Sequence, residues 1–92
     1  MAKRISFRVH GDVQAGVGFR YFTRKKATSY NLTGWVRNTN DNKVEGEVQG
    51  DDEKLELFMK DVRKGPSHST VDKVDRGEMD VVDGEEGYEV RR

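Results

Sequence analysis

The chain has 92 residues, of which 33% are hydrophobic and 37% charged, and its 17 Lys and Arg residues balance its 17 Asp and Glu residues. A chain of this length has room for one small core, so we expect residues 1–92 to form a single domain. The zero net charge argues against a general nucleic-acid or membrane binder, which usually carries a strong basic excess. The sequence contains no cysteine, which excludes disulfides, thiolate metal ligands and a cysteine nucleophile.

Hydrophobic periodicity predicts a strand and then a helix in the first third of the chain. Apolar and polar residues alternate over residues 5–10, which is the pattern of a half-buried strand. A glycine-containing loop follows at residues 11–18. Apolar residues then recur at helical spacing between Phe19 and Tyr30, which predicts a helix with Arg20 in its first turn.

The middle of the chain predicts a hairpin and a second helix. Residues 34–38 and 44–49 have the composition of two strands, and the Asn- and Asp-rich residues 39–43 predict the turn between them. An apolar stripe over residues 55–62 predicts a helix, with Gly65-Pro66 as its stop signal. This stripe consists of Leu55, Phe58, Met59 and Val62.

The last third predicts two more strands, at residues 70–78 and 88–91, with residues 79–87 as the loop between them. The predicted order is therefore β-α-β-β-α-β, with a short extra strand at the C-terminal end. This order is typical of an α+β, ferredoxin-like fold, in which an antiparallel sheet carries two helices on one face.

The strand, loop and helix at residues 5–30 are suited to binding an anion. Backbone N–H groups of such a loop converge on one point, and the helix N-terminus adds positive charge. Gly16 and Gly18 permit backbone conformations that side chains disfavour. Arg20 can grip two phosphate oxygens with its planar guanidinium. These features alone leave open the more common alternative, an ordinary connection followed by a surface arginine.

Two motifs resemble the signatures of the acylphosphatase family. The first is Val9-x-Gly11-x-Val13-Gln14 followed by Gly16-Val17-Gly18-Phe19-Arg20-Tyr21-Phe22-Thr23, and the second is Gly34-Trp35-Val36-Arg37-Asn38 followed by Val44-Glu45-Gly46-Glu47-Val48-Gln49-Gly50. Both are long, they occur in the family's order, and the resemblance covers nearly the whole chain, although it fades after Gly65. The resemblance implies the same ferredoxin-like fold that the periodicity predicts.

The resemblance also implies an activity and its residues. Members of the family hydrolyse acyl phosphates to a carboxylate and inorganic phosphate, which is both product and inhibitor, without a metal or a cofactor. The matching arginine, Arg20, would bind the substrate phosphate, and the matching asparagine, Asn38, would orient the attacking water. Without the resemblance, a role for Asn38 in the turn would be the simpler reading. The backbone N–H groups that would complete the phosphate site belong to Gln14, Ala15, Gly16, Val17, Gly18 and Phe19.

The sequence departs from the family pattern at two positions. Ala15 stands between Gln14 and Gly16, where the family runs directly from glutamine to glycine, and Asn42 stands where glycine is common. We expect the loop to absorb the inserted residue at its apex, and Asn42 to tolerate a positive φ. The alternative is a catalytically inactive anion- or partner-binding domain on the same fold, with the insertion as the cause of inactivity.

Other classes of function fit the sequence less well. RNA-recognition domains share this element order, but they stack bases on strand aromatics, and residues 44–49 contain no aromatic side chain. His10 and His68 are too far apart in sequence to indicate a metal site. Residues 1–6 contain no long apolar run, so we expect no signal peptide or membrane span and a cytoplasmic location. We also expect a monomer.

Overall fold

The computed structural model describes residues 2–14 and 18–92. The elements are β1 (Ala2–Asp12), α1 (Phe19–Ser29), β2 (Thr33–Asn38), β3 (Val44–Asp51), α2 (Asp52–Lys64), β4 (Thr70–Met79) and β5 (Tyr88–Val90). The predicted order of elements is confirmed, including the short last strand. The main differences are in β1 and β3, which extend beyond the predicted ranges, because pairing with neighbouring strands continues where the apolar alternation has ended.

The five strands form one sheet in the order β4-β1-β3-β2-β5. The first four strands pair antiparallel, as the sequence predicts, and this places β3 at the centre of the sheet. The fifth strand differs from the antiparallel expectation, because β5 pairs parallel with β2. The chain leaves β4 at one edge of the sheet and crosses to the opposite edge through residues 80–87. There it forms β5, which runs in the same direction as β2.

The core lies between one face of this sheet and the two helices. The alternating apolar residues of β1 face the helices, and the predicted α2 stripe is fully buried against them. The rings of Phe7 and Phe58 meet edge to face with their centroids 5.6 Å apart. Burying a side chain of this size contributes about 1.5–3 kcal/mol. The buried apolar residues are Ile5, Phe7, Val9, Val13, Phe19, Ala27, Leu32, Val36, Val44, Val48, Leu55, Phe58, Met59, Val62 and Tyr88.

The opposite side of the sheet, which we call the open face, carries paired charges. On this face Glu45 accepts hydrogen bonds from Arg8 at 3.0 Å and from Arg37 at 2.7 Å. Nearby, the Arg4 guanidinium is almost completely buried between Glu47 and Glu85, at 2.8 Å from each carboxylate. Glu85 belongs to the loop 80–87, so this ion pair fixes the crossing segment to the sheet.

The helix ends follow the predicted signals. α1 begins after Gly18, and α2 begins with two acidic residues, Asp52 and Glu53, which complement the positive end of its dipole. α2 stops at Gly65, whose φ of 73° ends the helical conformation. Neither helix of the described chain is long and apolar enough to cross a membrane.

Candidate functional site

The connection from β1 to α1 starts just after an irregularity in the pairing of β1 with β4. The pairing of β1 with β4 shifts register between His10 and Gly11, and Gly11 has a φ of 134°. A Cβ atom at Gly11 would lie 2.0 Å from the carbonyl oxygen of Thr70, so only glycine fits here. Val13 follows and is buried in the core, which anchors the start of the loop.

The predicted phosphate loop, residues 14–19, is described at both of its ends. Ala15, Gly16 and Val17 lie outside the described residues, and with them the inserted residue and three of the predicted backbone donors. Gly18 lies in the left-handed region, with φ 65° and ψ 29°, and forms the N-cap of α1. Its carbonyl accepts the N–H of Phe22 at 3.0 Å, which closes the first helical turn. The prediction of an unusual backbone conformation at Gly18 is confirmed.

Arg20 lies in the first turn of α1, as predicted. Its Nη1 donates a hydrogen bond to the carbonyl oxygen of Arg91 at 3.1 Å. Among the described residues, no side chain caps the N-terminus of α1, and its first turn contains no acidic residue. The first backbone N–H groups of a helix have no acceptor within the helix, so this end of α1 presents donors and positive potential.

Asn38 is the last residue of β2, immediately before the turn at residues 39–43. Its Oδ1 atom is buried and accepts no hydrogen bond from the described part of the protein. A buried acceptor without a donor costs about 1–3 kcal/mol. Most buried polar atoms have a partner in protein or in ordered water. The Oδ1 atom of Asn38 is therefore an acceptor of the kind that a water molecule satisfies.

The start of the phosphate loop and the end of β2 meet at one cleft, and Arg20 is not among the described residues that line it. A surface cleft of about 630 Å³ is lined, among the described residues, by Gly11, Asp12, Val13, Gln14, Asn38 and Asn42. The start of the phosphate loop and the end of β2 thus face the same space. Gln14 and Asn38, which both line it, are 24 positions apart in sequence. The cleft is large enough for a small phosphorylated molecule.

Arg20 connects to the end of β2 through the residue that follows β5. The carbonyl of Arg91 accepts from Arg20, and the N–H of Arg91 donates to the carbonyl of Val36 at 2.8 Å. Val36 is two residues before Asn38 on the same strand. Arg91 therefore links the side chain of Arg20 to β2, at a point two residues before Asn38.

The turn at residues 39–43 is held by a dense set of hydrogen bonds. The N–H of Thr39 donates to the carbonyl of Lys43 at 2.9 Å, and the N–H of Lys43 donates to Oγ1 of Thr39 at 2.9 Å. The hydroxyl of Thr39 also donates to Asp41, and this bond, with that from Lys43, lowers the pKa of Asp41 to about 2. Asn42 has a φ of 64°, which confirms the prediction that it adopts a positive φ.

The side chain of Gln14 is a contact that the sequence did not predict. Its Nε2 donates to the carbonyl of Thr39 at 2.8 Å and to that of Lys43 at 2.7 Å. Sequence reasoning assigned only the backbone of Gln14 to the site. No local pattern shows that a side chain at residue 14 will meet a turn 25 positions later.

The open face offers a second groove, of about 400 Å³, but its groups are already engaged. Trp35 borders this groove, and the guanidinium of Arg91 lies over its ring at 4.6 Å from the centroid. Glu45, on the same face, is paired with two arginines. A ring covered in this way is a poor platform for a nucleobase, and β3, the central strand, carries no aromatic residue.

The described residues contain no group of three or more His, Cys, Asp or Glu side chains arranged to hold a metal ion. The two histidines lie in different parts of the fold. His10 pairs with Asp75 at 2.7 Å across the β1–β4 ladder, and His68 lies in the α2–β4 connection.

Comparison with known proteins gives a consistent result. The sequence model of the family named Acylphosphatase matches residues 5–90, so the similarity extends past Gly65, where the motif resemblance fades. An acylphosphatase of Salinibacter ruber is 46% identical over 90 residues, covering 98% of this chain and 94% of the relative. The crystal structure of acylphosphatase from Bacillus subtilis superposes with a TM-score of 0.92 at 33% identity, over 100% of both chains. An acylphosphatase structure from Coxiella burnetii gives a TM-score of 0.91 at 34% identity, covering 98% of this chain and 93% of that one.

Proposed function

The chain belongs to the acylphosphatase family and is a hydrolase of this type, and we propose that Arg20 and Asn38 carry out its reaction as phosphate-binding and water-orienting residues. The substrate is an acyl phosphate, and the products are a carboxylate and inorganic phosphate. The observation that carries the proposal is the buried Oδ1 of Asn38, which accepts no hydrogen bond from the described residues and lies at the cleft that the start of the phosphate loop also lines.

Arg20 binds the phosphoryl group together with the phosphate loop. One guanidinium N–H is used by the Arg91 carbonyl, and a guanidinium has five N–H donors, so enough remain to hold two phosphate oxygens. The N–H groups at the start of α1 add further donors, and no acidic residue in the first turn of α1 competes with the anion. The backbone of residues 14–19 completes this phosphate site.

Asn38 orients the attacking water. Its Oδ1 accepts one O–H of the water and so turns a lone pair of the water oxygen toward phosphorus. An amide accepts this hydrogen bond without taking the proton, so Asn38 acts by position rather than as a general base. The adjoining turn at residues 39–43 fixes where β2 ends and hence where this amide lies.

The reaction needs little more than binding and orientation. The water oxygen forms a bond to phosphorus, the bond from phosphorus to the acyl oxygen breaks, and the carboxylate leaves with the electron pair. A nonbridging phosphate oxygen takes the proton of the water. A carboxylate is a good leaving group, and the transition state of phosphoryl transfer is loose, so positioning and charge stabilisation supply most of the catalysis. The protein residues supply these without a metal or cofactor in the proposed steps.

The protein acts in this proposal as a single-domain cytoplasmic monomer that binds no nucleic acid and no membrane. The edge strand β4 supports the monomeric state, since it carries the charged residues Asp72, Lys73, Asp75, Arg76 and Glu78, and charges on an edge strand discourage strand pairing between molecules. Light scattering on a size-exclusion column tests this state directly, and a mass of two chains would contradict it.

Hydrolysis of benzoyl phosphate by purified variants tests the assigned roles. Arg20→Ala should abolish measurable phosphate inhibition and most activity, since hydrogen bonds between charged groups, worth about 1.5–3 kcal/mol each, are lost. Asn38→Ala should lower kcat at least tenfold, while the inhibition constant of inorganic phosphate changes little, because Asn38 contacts the water and not the phosphate.

Two matched variants control these measurements. Arg24→Ala removes an arginine one turn further along α1, where the guanidinium faces the Tyr21 ring, and should keep kcat. Asn40→Ala removes an exposed asparagine from the adjoining turn and should also keep kcat. Full activity of Arg20→Ala or Asn38→Ala would reject the role given to that residue. Loss of activity in the two controls alone would place the site elsewhere.

A further inference from the structure

Gln14 joins the two halves of the proposed site through its side chain. Its Nε2 lies 2.8 Å from the carbonyl oxygen of Thr39 and 2.7 Å from that of Lys43, the two residues that open and close the turn after β2. Thr39 directly follows Asn38. The amide of Gln14 therefore links the start of the phosphate loop to the residue beside the water-orienting asparagine.

The chemistry of this contact admits one orientation of the amide. Two carbonyl oxygens face the same atom, so that atom must carry two hydrogens, and an NH₂ group does so. The reverse orientation would place the Gln14 oxygen against two other oxygens. No other uncharged side chain of similar length offers two donors on one terminal atom, so the position demands glutamine.

We propose that Gln14 is a positioning residue, which sets the distance between the bound phosphoryl group and the water held by Asn38. The inference rests on the proposed function. The backbone of Gln14 belongs to the phosphate loop, and its side chain holds the turn that fixes Asn38. The two reacting partners, phosphate and water, are thereby located by one residue. A shift of about 1 Å between reacting groups can lower a rate by a factor of a hundred.

A double-mutant cycle on kcat tests this role. Gln14→Met keeps the length of the side chain and removes both donors, and we expect kcat to fall roughly ten- to hundredfold. Because the loss acts through Asn38, the same change made in Asn38→Ala should lower kcat by less than twofold further. A merely structural role would give losses that multiply, since it does not depend on the Asn38 side chain.

Gln49→Met is the matched control. Gln49 also donates from Nε2 to a backbone carbonyl, that of Val82 at 2.9 Å, but it does so on the loop that crosses the open face. Loss of this bond should lower thermal stability and leave kcat unchanged. Circular dichroism confirms that each variant is folded before kinetics are compared.

Gln14→Glu provides a second readout, the pH dependence of kcat. An ionised carboxylate has no donor and faces two carbonyl oxygens, whereas a protonated one donates a single hydrogen bond. The kcat of this variant relative to wild type should therefore rise as pH is lowered from 8 to 5, while that of Gln14→Met stays flat. Of the charged groups nearby, Asp12 adjoins on β1, and Asp41 and Lys43 pair with each other in the turn at 2.9 Å. They are present in wild type and in both variants, so their own titration cancels in the ratio. Their charges affect only the pH at which residue 14 of Gln14→Glu titrates.

The outcomes separate this inference from the proposed function. If Asn38→Ala retains full kcat, the role of Asn38 is wrong and the inference is overturned with it. If Asn38→Ala loses activity but Gln14→Met retains it, only the inference is overturned. The same holds if the two losses multiply. A flat kcat ratio for an inactive Gln14→Glu would likewise contradict the hydrogen-bonding role.

Discussion

The guanidinium of Arg20 and the main chain of Arg91 are joined by a hydrogen bond of 3.1 Å, although the two residues are 71 positions apart. Arg91 is held on both sides: its N–H donates to Val36 at 2.8 Å, and its own guanidinium lies over the Trp35 ring. The main chain of Arg91 thus supports the guanidinium of Arg20, the proposed phosphate-binding residue, when no anion is bound.

We predict that removal of Arg91 and Arg92 weakens phosphate binding. Arg20 then loses its carbonyl acceptor, so phosphate has to order the guanidinium when it binds. This costs about as much as one hydrogen bond, roughly 0.5–1.5 kcal/mol, and should raise the inhibition constant of phosphate by up to about tenfold. The constant is measured by inhibition of benzoyl phosphate hydrolysis. Arg92→Ala keeps the Arg91 carbonyl as an uncharged acceptor and should leave the constant unchanged. Equal effects of the truncation and of Arg92→Ala would contradict the support role.

A second prediction concerns the left-handed N-cap of α1. Gly18 has φ 65°, and a Cβ atom there would meet no described atom within 4 Å, so backbone strain alone opposes a side chain. Gly18→Ala should lower the free energy of unfolding by about 1–2 kcal/mol, whereas Gly18→Asn should lower it less, since asparagine tolerates this region. Urea denaturation measures both. Equal stability of wild type and Gly18→Ala would show that this conformation is not retained.

The order of the elements and the residues of the α2 core stripe were predictable because both depend on local periodicity. The stripe of Leu55, Phe58, Met59 and Val62 is completely buried, as its spacing predicts. The position of Arg20 in the first helical turn and of Asn38 at a strand end also follow from neighbouring residues. The motif resemblance then adds chemical roles that periodicity cannot supply.

Contacts between distant segments were not predictable from these patterns. Arg4 reads as an ordinary polar residue beside an apolar strand, yet it is 3% exposed and pairs with Glu85, 81 positions away. The parallel pairing of β5 with β2 depends on the path of the preceding loop. The Gln14 side-chain contact depends on the meeting of a loop and a turn. In each case the partner is fixed only when the sheet is assembled.

The buried Arg4 gives a third prediction. Its Nε and Nη atoms bond Glu47, Gln49 and Glu85 at distances between 2.8 and 3.1 Å. Arg4→Ala leaves two partly buried carboxylates without their cation and opens a space in the sheet. Such a loss should lower the free energy of unfolding by about 3 kcal/mol. Arg4→Met, which keeps the packing, should lose less. Benzoyl phosphate hydrolysis at 25 °C should remain in the folded fraction of both variants, because Arg4 does not line the proposed site.

The same ion pair predicts how stability depends on pH. The hydrogen bonds from Arg4 hold the pKa of Glu85 below its ordinary value of 4.5. In the folded protein this carboxylate therefore binds a proton less readily than in the unfolded chain, so its contribution to stability is fully present above the ordinary pKa and is lost as pH falls below it. Asp41, with its pKa lowered to about 2, adds a change of the same sign.

We therefore expect the free energy of unfolding, measured with urea, to be nearly constant at neutral pH and to fall between about pH 5 and pH 2. Glu85→Gln cannot ionise at residue 85, so it should start from a lower stability at pH 7 and lose less on acidification than wild type does. Arg4→Met removes the donor instead of the carboxylate and should flatten the same slope, because Glu85 then titrates closer to its ordinary value. If the free energy of unfolding falls with pH equally in wild type and both variants, the pair between Arg4 and Glu85 does not control the loss of stability in acid. That loss would then arise at Asp41 and the other paired carboxylates.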